Sequence, residues 1–412
     1  MSFRALFSTI VIATAMLVAA FLLHSQRPAG QVHQPSASFV RASGKCAECH
    51  RRETSAVVHE FEMSAHAAKD VNCLDCHRPV KGQDSIDHRG FVIAKHLTSA
   101  NCRECHETEY RQFERSRHGA PAWAAVRGAA DFTPEQIALA EKFHHGAVNR
   151  PANALVQVEG PAAVNKGCYQ CHDIGRPNMD GTIGSCTACH ARHASSVELA
   201  RTPETCGQCH MGPDHSQLEI YHESKHGVLF NAQRNRFRLD APAKELTTRD
   251  MPVPTCATCH MSGLEGMNVT HDTTERLSMF LFAPKTEKRP GYQHGVTQMQ
   301  ETCLKCHTRP NVEKFYAEAE TVVASTNDLV LESEAIIKGL RDEKLLTPEP
   351  FDERIEFVAF DLWHYGGRTA KHGAYMGGAD FVQWHGFYEL VSKLSELKQM
   401  AEEIRTKAQA AK

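Results

Sequence analysis

The chain has 412 residues, with 46 basic and 49 acidic side chains and a formal net charge of −3. That balance excludes the strongly basic surface of a nucleic-acid partner. Sixteen cysteines and 26 histidines stand out against an apolar fraction of 42% and only 7% aromatics; length alone suggests two or three separately cored domains, and the cysteine spacing overrides that expectation.

At the N-terminus, Arg4 precedes residues 5–23, an apolar run interrupted only by Ser8, Thr9 and Thr14. The run has the length of a short membrane span and also of a long signal peptide. Val18-Ala19-Ala20 is a poor cleavage site because Phe21-Leu22-Leu23 continues the apolar stretch. The expectation is therefore an anchor over residues 1–24 and a periplasmic or otherwise extracytoplasmic body tethered to the membrane. Residues 25–42, with Pro28, Gly30 and Pro35, read as a flexible tether.

From residue 43 the cysteines dominate. All sixteen fall into eight C-x-x-C pairs, each followed directly by histidine: Cys46-Cys49-His50, Cys73-Cys76-His77, Cys102-Cys105-His106, Cys168-Cys171-His172, Cys186-Cys189-His190, Cys206-Cys209-His210, Cys256-Cys259-His260 and Cys303-Cys306-His307. Disulfides or zinc would also pair cysteines, but neither accounts for the histidine eight times over. C-x-x-C-H is the attachment signature of c-type haem. Residues three and four apart share one helical face, so two thiols can meet the two vinyl groups of a porphyrin edge while the histidine reaches the iron. Eight covalent haem c groups are expected. Attachment requires reduced thiols and an extracytoplasmic maturation system, so a chain without disulfides still belongs outside the cytoplasm.

The first cysteines of successive motifs are 27, 29, 66, 18, 20, 50 and 47 residues apart, which excludes a uniform repeat array. At about 33 residues per motif the 43–310 segment cannot build an ordinary apolar core. Porphyrins must supply the interior, wrapped by short helices and loops. Neighbouring haems should then lie near contact and conduct electrons. Between motifs three and four, Thr133-Pro134-Glu135-Gln136 forms a capping box with proline at the first helical position. Ile137, Ala140 and Phe143 follow at helical spacing and Gly146 is placed to end the helix, which is expected to pack on the haem core.

Residues 311–412 carry no motif. Val312, Phe315, Ala319, Val322, Leu329, Ile336 and Leu340 predict a long amphipathic helix. A second helix is expected within residues 350–364. A third starts near Ala379, with Phe381, Trp384, Tyr388, Val391, Leu394, Leu397, Ala401 and Ile404 as a nearly heptad stripe facing core or another subunit. The fold class is mainly α: an octahaem c core of short helices and loops followed by a C-terminal bundle of long helices.

Each iron needs a sixth ligand or stays open for chemistry. Beyond the eight motif histidines, eighteen remain. His66, His96, His118, His193, His226, His271 and His385 are the candidates for distal ligands, being close to motifs or in Ser-x-His and Trp-His contexts. Asp214 and His215 are adjacent, a carboxylate and an imidazole able to accept protons. The alternative is that Asp214 caps the next segment and His215 ligates a carrier haem.

Several stretches resemble the octahaem hydroxylamine oxidoreductase family, to which hydrazine dehydrogenase also belongs. They are Gly167-Cys168-Tyr169-Gln170-Cys171-His172, Gly184 through His193, Cys206 through His215, Glu219-Ile220-Tyr221 through Gly227, Asn268-Val269-Thr270-His271-Asp272, and Met376 through Gly386. The likeness covers residues 44–395. It implies that the fourth haem, on Cys168, Cys171 and His172, is catalytic with an open distal face lined by Asp214 and His215. It further implies seven bis-histidine carriers and a homotrimer. Reductases with a lysine in one motif fit less well, since every motif here keeps histidine.

Oxidising members of that family carry a tyrosine bonded to the catalytic porphyrin, for which Tyr365, Tyr375 and Tyr388 are candidates. They also carry a pocket tyrosine after the seventh motif, where Leu277-Ser278-Met279-Phe280-Leu281-Phe282 offers none. That departure tilts the reading towards reductive enzymes acting on nitrite or hydroxylamine. The expected function is an oxidoreductase of small inorganic nitrogen compounds (hydroxylamine, or else nitrite or hydrazine), partnered by a cytochrome or a quinol-linked membrane cytochrome. The competing reading is a membrane-tethered multihaem conduit without a catalytic site.

Overall fold

The computed structural model describes Met16 and residues 37–149 and 152–411. The expected anchor (Met16 apart) and the tether up to residue 36 lie outside the described residues. Among the described residues no helix is long and apolar enough to cross a membrane.

The chain divides into two compact units, one of Met1–Cys73 with Arg192–Ser195, the other of Leu74–Ala191 with Ser196–Lys412. In the first unit a helix spans Ala37–Glu53 and a second Ser55–Glu62. The first helix therefore starts inside the segment expected to be tether. The turn-forming residues end at Pro35, and residues 37–43 contain no proline or glycine to stop a helix. The first motif is embedded in that helix, and Val58 and Ala67 are buried nearby.

The second unit is mostly short helices joined by turns. The motifs form single turns of their own at Cys73–His77, Cys168–His172 and Cys256–His260, with a 3₁₀ turn at Cys186–Ala188. One element was not anticipated: an antiparallel hairpin pairing Ser85–His88 with Phe91–Ala94. Arg89 and Gly90 turn it with φ of 54° and 86°, the doubly left-handed conformation that matches strand twist in a two-residue turn.

The capping box at Thr133 forms as expected: its hydroxyl accepts from the Gln136 amide while the Gln136 side chain accepts from the Thr133 amide. This helix, Pro134–Glu141, stops before Gly146 and leaves Phe143 largely exposed. Ala140 and Ile137 pack with Trp123, Val126, Val148, Val164 and Tyr169, the last lying inside the fourth motif.

The C-terminal region carries the largest apolar cluster. Its long helix runs Arg309–Asp342, 34 residues. The buried face is Val312, Tyr316, Ala319, Val323, Thr326, Val330, Ser333 and Leu340, offset by one residue from the expected Phe315, Val322 and Leu329. Val312, Ala319 and Leu340 are buried as expected and Leu329 and Ile336 pack against the core cluster, while the seam, alternating four and three, also takes in the hydroxyl residues Thr326 and Ser333 that hydrophobicity does not mark. The second helix, Arg354–Asp361, passes through a π-turn at Leu362–Gly367 into Arg368–Met376. The third begins at Ala379 as expected, but a π-turn at Gln383–Tyr388 interrupts it before Glu389–Ala410. A π-turn adds a residue and rotates the register. Phe381, Leu394, Leu397 and Ala401 are buried as expected, Leu390 joins them, and Trp384, Tyr388 and Val391 face outward.

Candidate haem ligands and the pocket at the fourth motif

All sixteen cysteines carry free thiols. Thiols of different motifs come together in the second unit: Cys102 lies beside Cys186, Cys206 beside Cys256, and Cys171 beside Cys209. Cys259 also lies within electrostatic range of Cys303 and Cys306. The attachment points of motifs three and five, four and six, six and seven, and seven and eight are thus adjacent.

The histidines pair across gaps of one size. Two imidazoles on one metal have ring centres roughly 6 Å apart, from two metal–nitrogen bonds of about 2 Å and about 1 Å from each nitrogen to its ring centre. His118 and His210 lie 6.0 Å apart, His190 and His271 6.4 Å, and His226 and His307 5.9 Å. These pairs join motifs six, five and eight to three of the expected distal ligands. Burial, then the neighbouring His210, pushes His118 down to about 4, keeping it neutral and able to ligate. In the first unit, His193 lies within electrostatic range of His50, and its backbone N–H donates to Glu60 at 3.4 Å. Free clustered thiols and one-atom imidazole gaps fit haem c.

The remaining candidates sit elsewhere. His66 caps the turn Ala67–Lys69, its carbonyl accepting from Lys69 and Val71. His96 is exposed just past the hairpin. His385 is not brought to a motif histidine: its Nε2 lies 3.1 Å from the Asp380 carboxylate and its side chain is 60% exposed.

At the fourth motif, His172 donates from Nδ1 to the Ala122 carbonyl at 3.4 Å, which frees Nε2 for a metal. The His215 ring stands 6.3 Å from it and nearly perpendicular. Here Asp214 and His215 come together as expected, with Oδ2 2.6 Å from Nδ1. Two further residues complete the cluster. The Arg368 guanidinium lies 3.6 Å from Asp214 and donates to His364 Nε2 at 2.8 Å, and that nitrogen is 3.7 Å from Asp214. Burial, with Arg368 adding to it, drives His364 down to about 3, so it is neutral. Burial lowers Arg368 to about 10, against the pull of Asp214. Burial alone would raise Asp214; His215, His364 and Arg368 outweigh it and hold the carboxyl ionised.

Phe282, 37% exposed, packs at the edge of this cluster. Its ring is 5.1 Å from His215 and 4.6 Å from His372. Arg368 Nε donates to the Phe282 carbonyl at 3.0 Å, and the fully buried Lys371 donates to Ala283 and Pro284 at 2.7 and 3.2 Å. Burial, then Arg368, lowers Lys371 to about 7.

Of the three tyrosines, Tyr365 alone is within electrostatic range of Asp214. Tyr375 packs edge-on to Tyr316 at 5.9 Å, and Tyr388 is 53% exposed against Trp384. Sequence reasoning missed His364, Arg368 and the placement of Phe282. The four-residue step from His364 to Arg368 was the available signal, but nothing local tied it to Asp214.

Residues 69–352 match the family model described as seven-times multihaem cytochrome CxxCH. That range contains the seven motifs from Cys73 to His307 and leaves out the first, Cys46-Cys49-His50. A Kuenenia stuttgartiensis protein named a probable nitrite reductase–hydroxylamine oxidoreductase fusion is 25% identical over 375 residues, covering 77% of this chain. The match takes in only 40% of that relative's length. Two solved structures share the fold. A hypothetical multihaem protein has a TM-score of 0.77 at 22% identity, covering 92% of this chain and 98% of its own. The reducing HAO-like protein complex of Kuenenia stuttgartiensis has 0.68 at 19% identity, covering 92% and 89%.

Proposed function

The chain belongs to the multihaem cytochrome CxxCH family, and from that premise we propose that it is an extracytoplasmic oxidoreductase of small inorganic nitrogen compounds. Its reaction centre is the fourth motif and its other haems carry electrons. The observation that carries this reading is the Asp214–His215–His364–Arg368 cluster facing His172. A carrier haem needs no such set of charges.

A haem held by Cys168, Cys171 and His172 supplies an iron that binds the substrate nitrogen and exchanges electrons. The chain's own groups do the rest. Asp214, held ionised, fixes His215 in one tautomer by accepting at Nδ1, which leaves Nε2 to take or give a proton on the distal side. Arg368 donates to His364 and keeps it neutral. Phe282 stands beside His215 and offers no phenolic hydroxyl. That absence supports the reductive direction, with nitrite or hydroxylamine as substrate. Names among the relatives agree in class, two of them being called nitrite reductase–hydroxylamine oxidoreductase fusion and reducing HAO-like.

One observation favours a second reading. The 6.3 Å gap between His172 and His215 equals that of the other pairs, so His215 could serve as a sixth ligand in a pure conduit. Electron paramagnetic resonance of the oxidised holoprotein separates the two. A high-spin ferric signal from one haem, altered by nitrite or hydroxylamine and accompanied by turnover of either, is expected. Low-spin signals alone with no turnover select the conduit.

A further inference from the structure

Arg276 is 2% exposed. Its Nη1 donates to the carbonyls of Thr258 and Cys259 at 3.5 and 2.9 Å, and its Nη2 to those of Ser262 and Asn268 at 2.9 and 2.8 Å. Nε is buried without a partner. Among the described residues no carboxylate comes within ion-pair distance of it; Glu275 and Glu301 act on it only from further away. A guanidinium cannot shed its proton, and a buried charge without a counter-charge is costly. The carbonyls satisfy four of its five donors and leave its positive charge without a side-chain counter-charge beside the seventh motif, whose Cys259 carbonyl it holds.

We propose that Arg276 is a positioning residue that sets the reduction potential of the haem that Cys256, Cys259 and His260 would hold, raising it by placing a buried cation with no side-chain counter-charge beside that motif. The proposal rests on the reading that the seventh motif carries haem c. The physics is direct: taking up an electron lowers the positive charge at the iron, and a fixed neighbouring cation favours that lower-charge state. A purely structural anchor would need the hydrogen bonds and not the charge.

Potentiometric titration of the full-length holoprotein followed by visible absorbance tests this, with wild type, R276Q and R276K compared and haem counted in each by pyridine haemochrome. Gln keeps amide donors for part of the carbonyl set and removes the charge; Lys keeps the charge and loses the planar fork. The expected result is one component moved to lower potential in R276Q, held near its wild-type position in R276K, with equal haem counts. A superimposable R276Q titration overturns the proposal, as does an equal shift in both variants. Loss of a haem or of the holoprotein in R276Q also overturns it, since Arg276 would then serve assembly. A wild-type protein in which Cys256 and Cys259 remain alkylatable removes the premise instead.

Discussion

The attachment cysteines and proximal histidines were legible from sequence because covalent geometry fixes them within five residues. Distal ligands are different, since the fold alone decides which distant imidazole arrives opposite. His118, His193, His226 and His271 each reach a motif histidine, and three of those four sit at the span of a shared metal. His385 has a similar sequence context yet faces Asp380. The residues around Asp214 were half legible. Asp214 and His215 are neighbours in the chain, but His364 and Arg368 reach them from about 150 residues away, beyond any local pattern. The His190–His271 pair gives a test at this scale. In H271A one further haem should become high-spin while the haem count stays constant, with added imidazole restoring the low-spin spectrum; absorbance and paramagnetic resonance read both. An unchanged spectrum would place the ligand elsewhere.

At the scale of elements, the helices after residue 309 were predicted in number and rough extent, and their registers in part: Val312, Ala319, Leu340, Phe381, Leu394, Leu397 and Ala401 are buried as expected. The long helix buries Thr326 and Ser333 in its heptad seam, so hydrophobicity pointed in part to the neighbouring stripe. The last helix carries a π-turn that an even 3.6-residue count cannot contain. Past that turn the expected positions hold: Leu394, Leu397 and Ala401 lie in one cluster with Val330, Leu340 and Leu362. Leu397 is fully buried there. Leu397→Ala should therefore cost about 2–5 kcal/mol, as for other leucines truncated in packed cores. Chemical denaturation followed by far-ultraviolet dichroism measures the loss, and haem absorbance should stay native until the helices melt. The 85–94 hairpin escaped prediction because its strands are four residues each and leave Ile86 and Val92 exposed.

At the scale of the molecule, apolar clusters are concentrated in three places: the C-terminal helices, the surroundings of Trp123, and the surroundings of Phe230. Every motif cysteine is half-buried or exposed. A chain made without haem attachment should keep helical signal from residues 309–410 and lack a cooperative transition elsewhere. Expression with and without the maturation machinery, compared by limited proteolysis, checks this. Survival of a C-terminal fragment alone is expected, and a protease-resistant full-length apoprotein would show that the interior does not depend on porphyrin. The family match covers residues 69–352 and leaves the first motif outside it. In the structure it belongs to the unit formed by Met1–Cys73 and Arg192–Ser195.

The cross-motif thiol contacts also set a hazard during biogenesis. Cys102 beside Cys186, Cys206 beside Cys256 and Cys171 beside Cys209 are partners that a premature oxidation would weld together. Each such bond would block two porphyrins at once. A newly exported chain is therefore safest when its early motifs are loaded before the later ones emerge to meet them, so translocation order and ligation order should coincide.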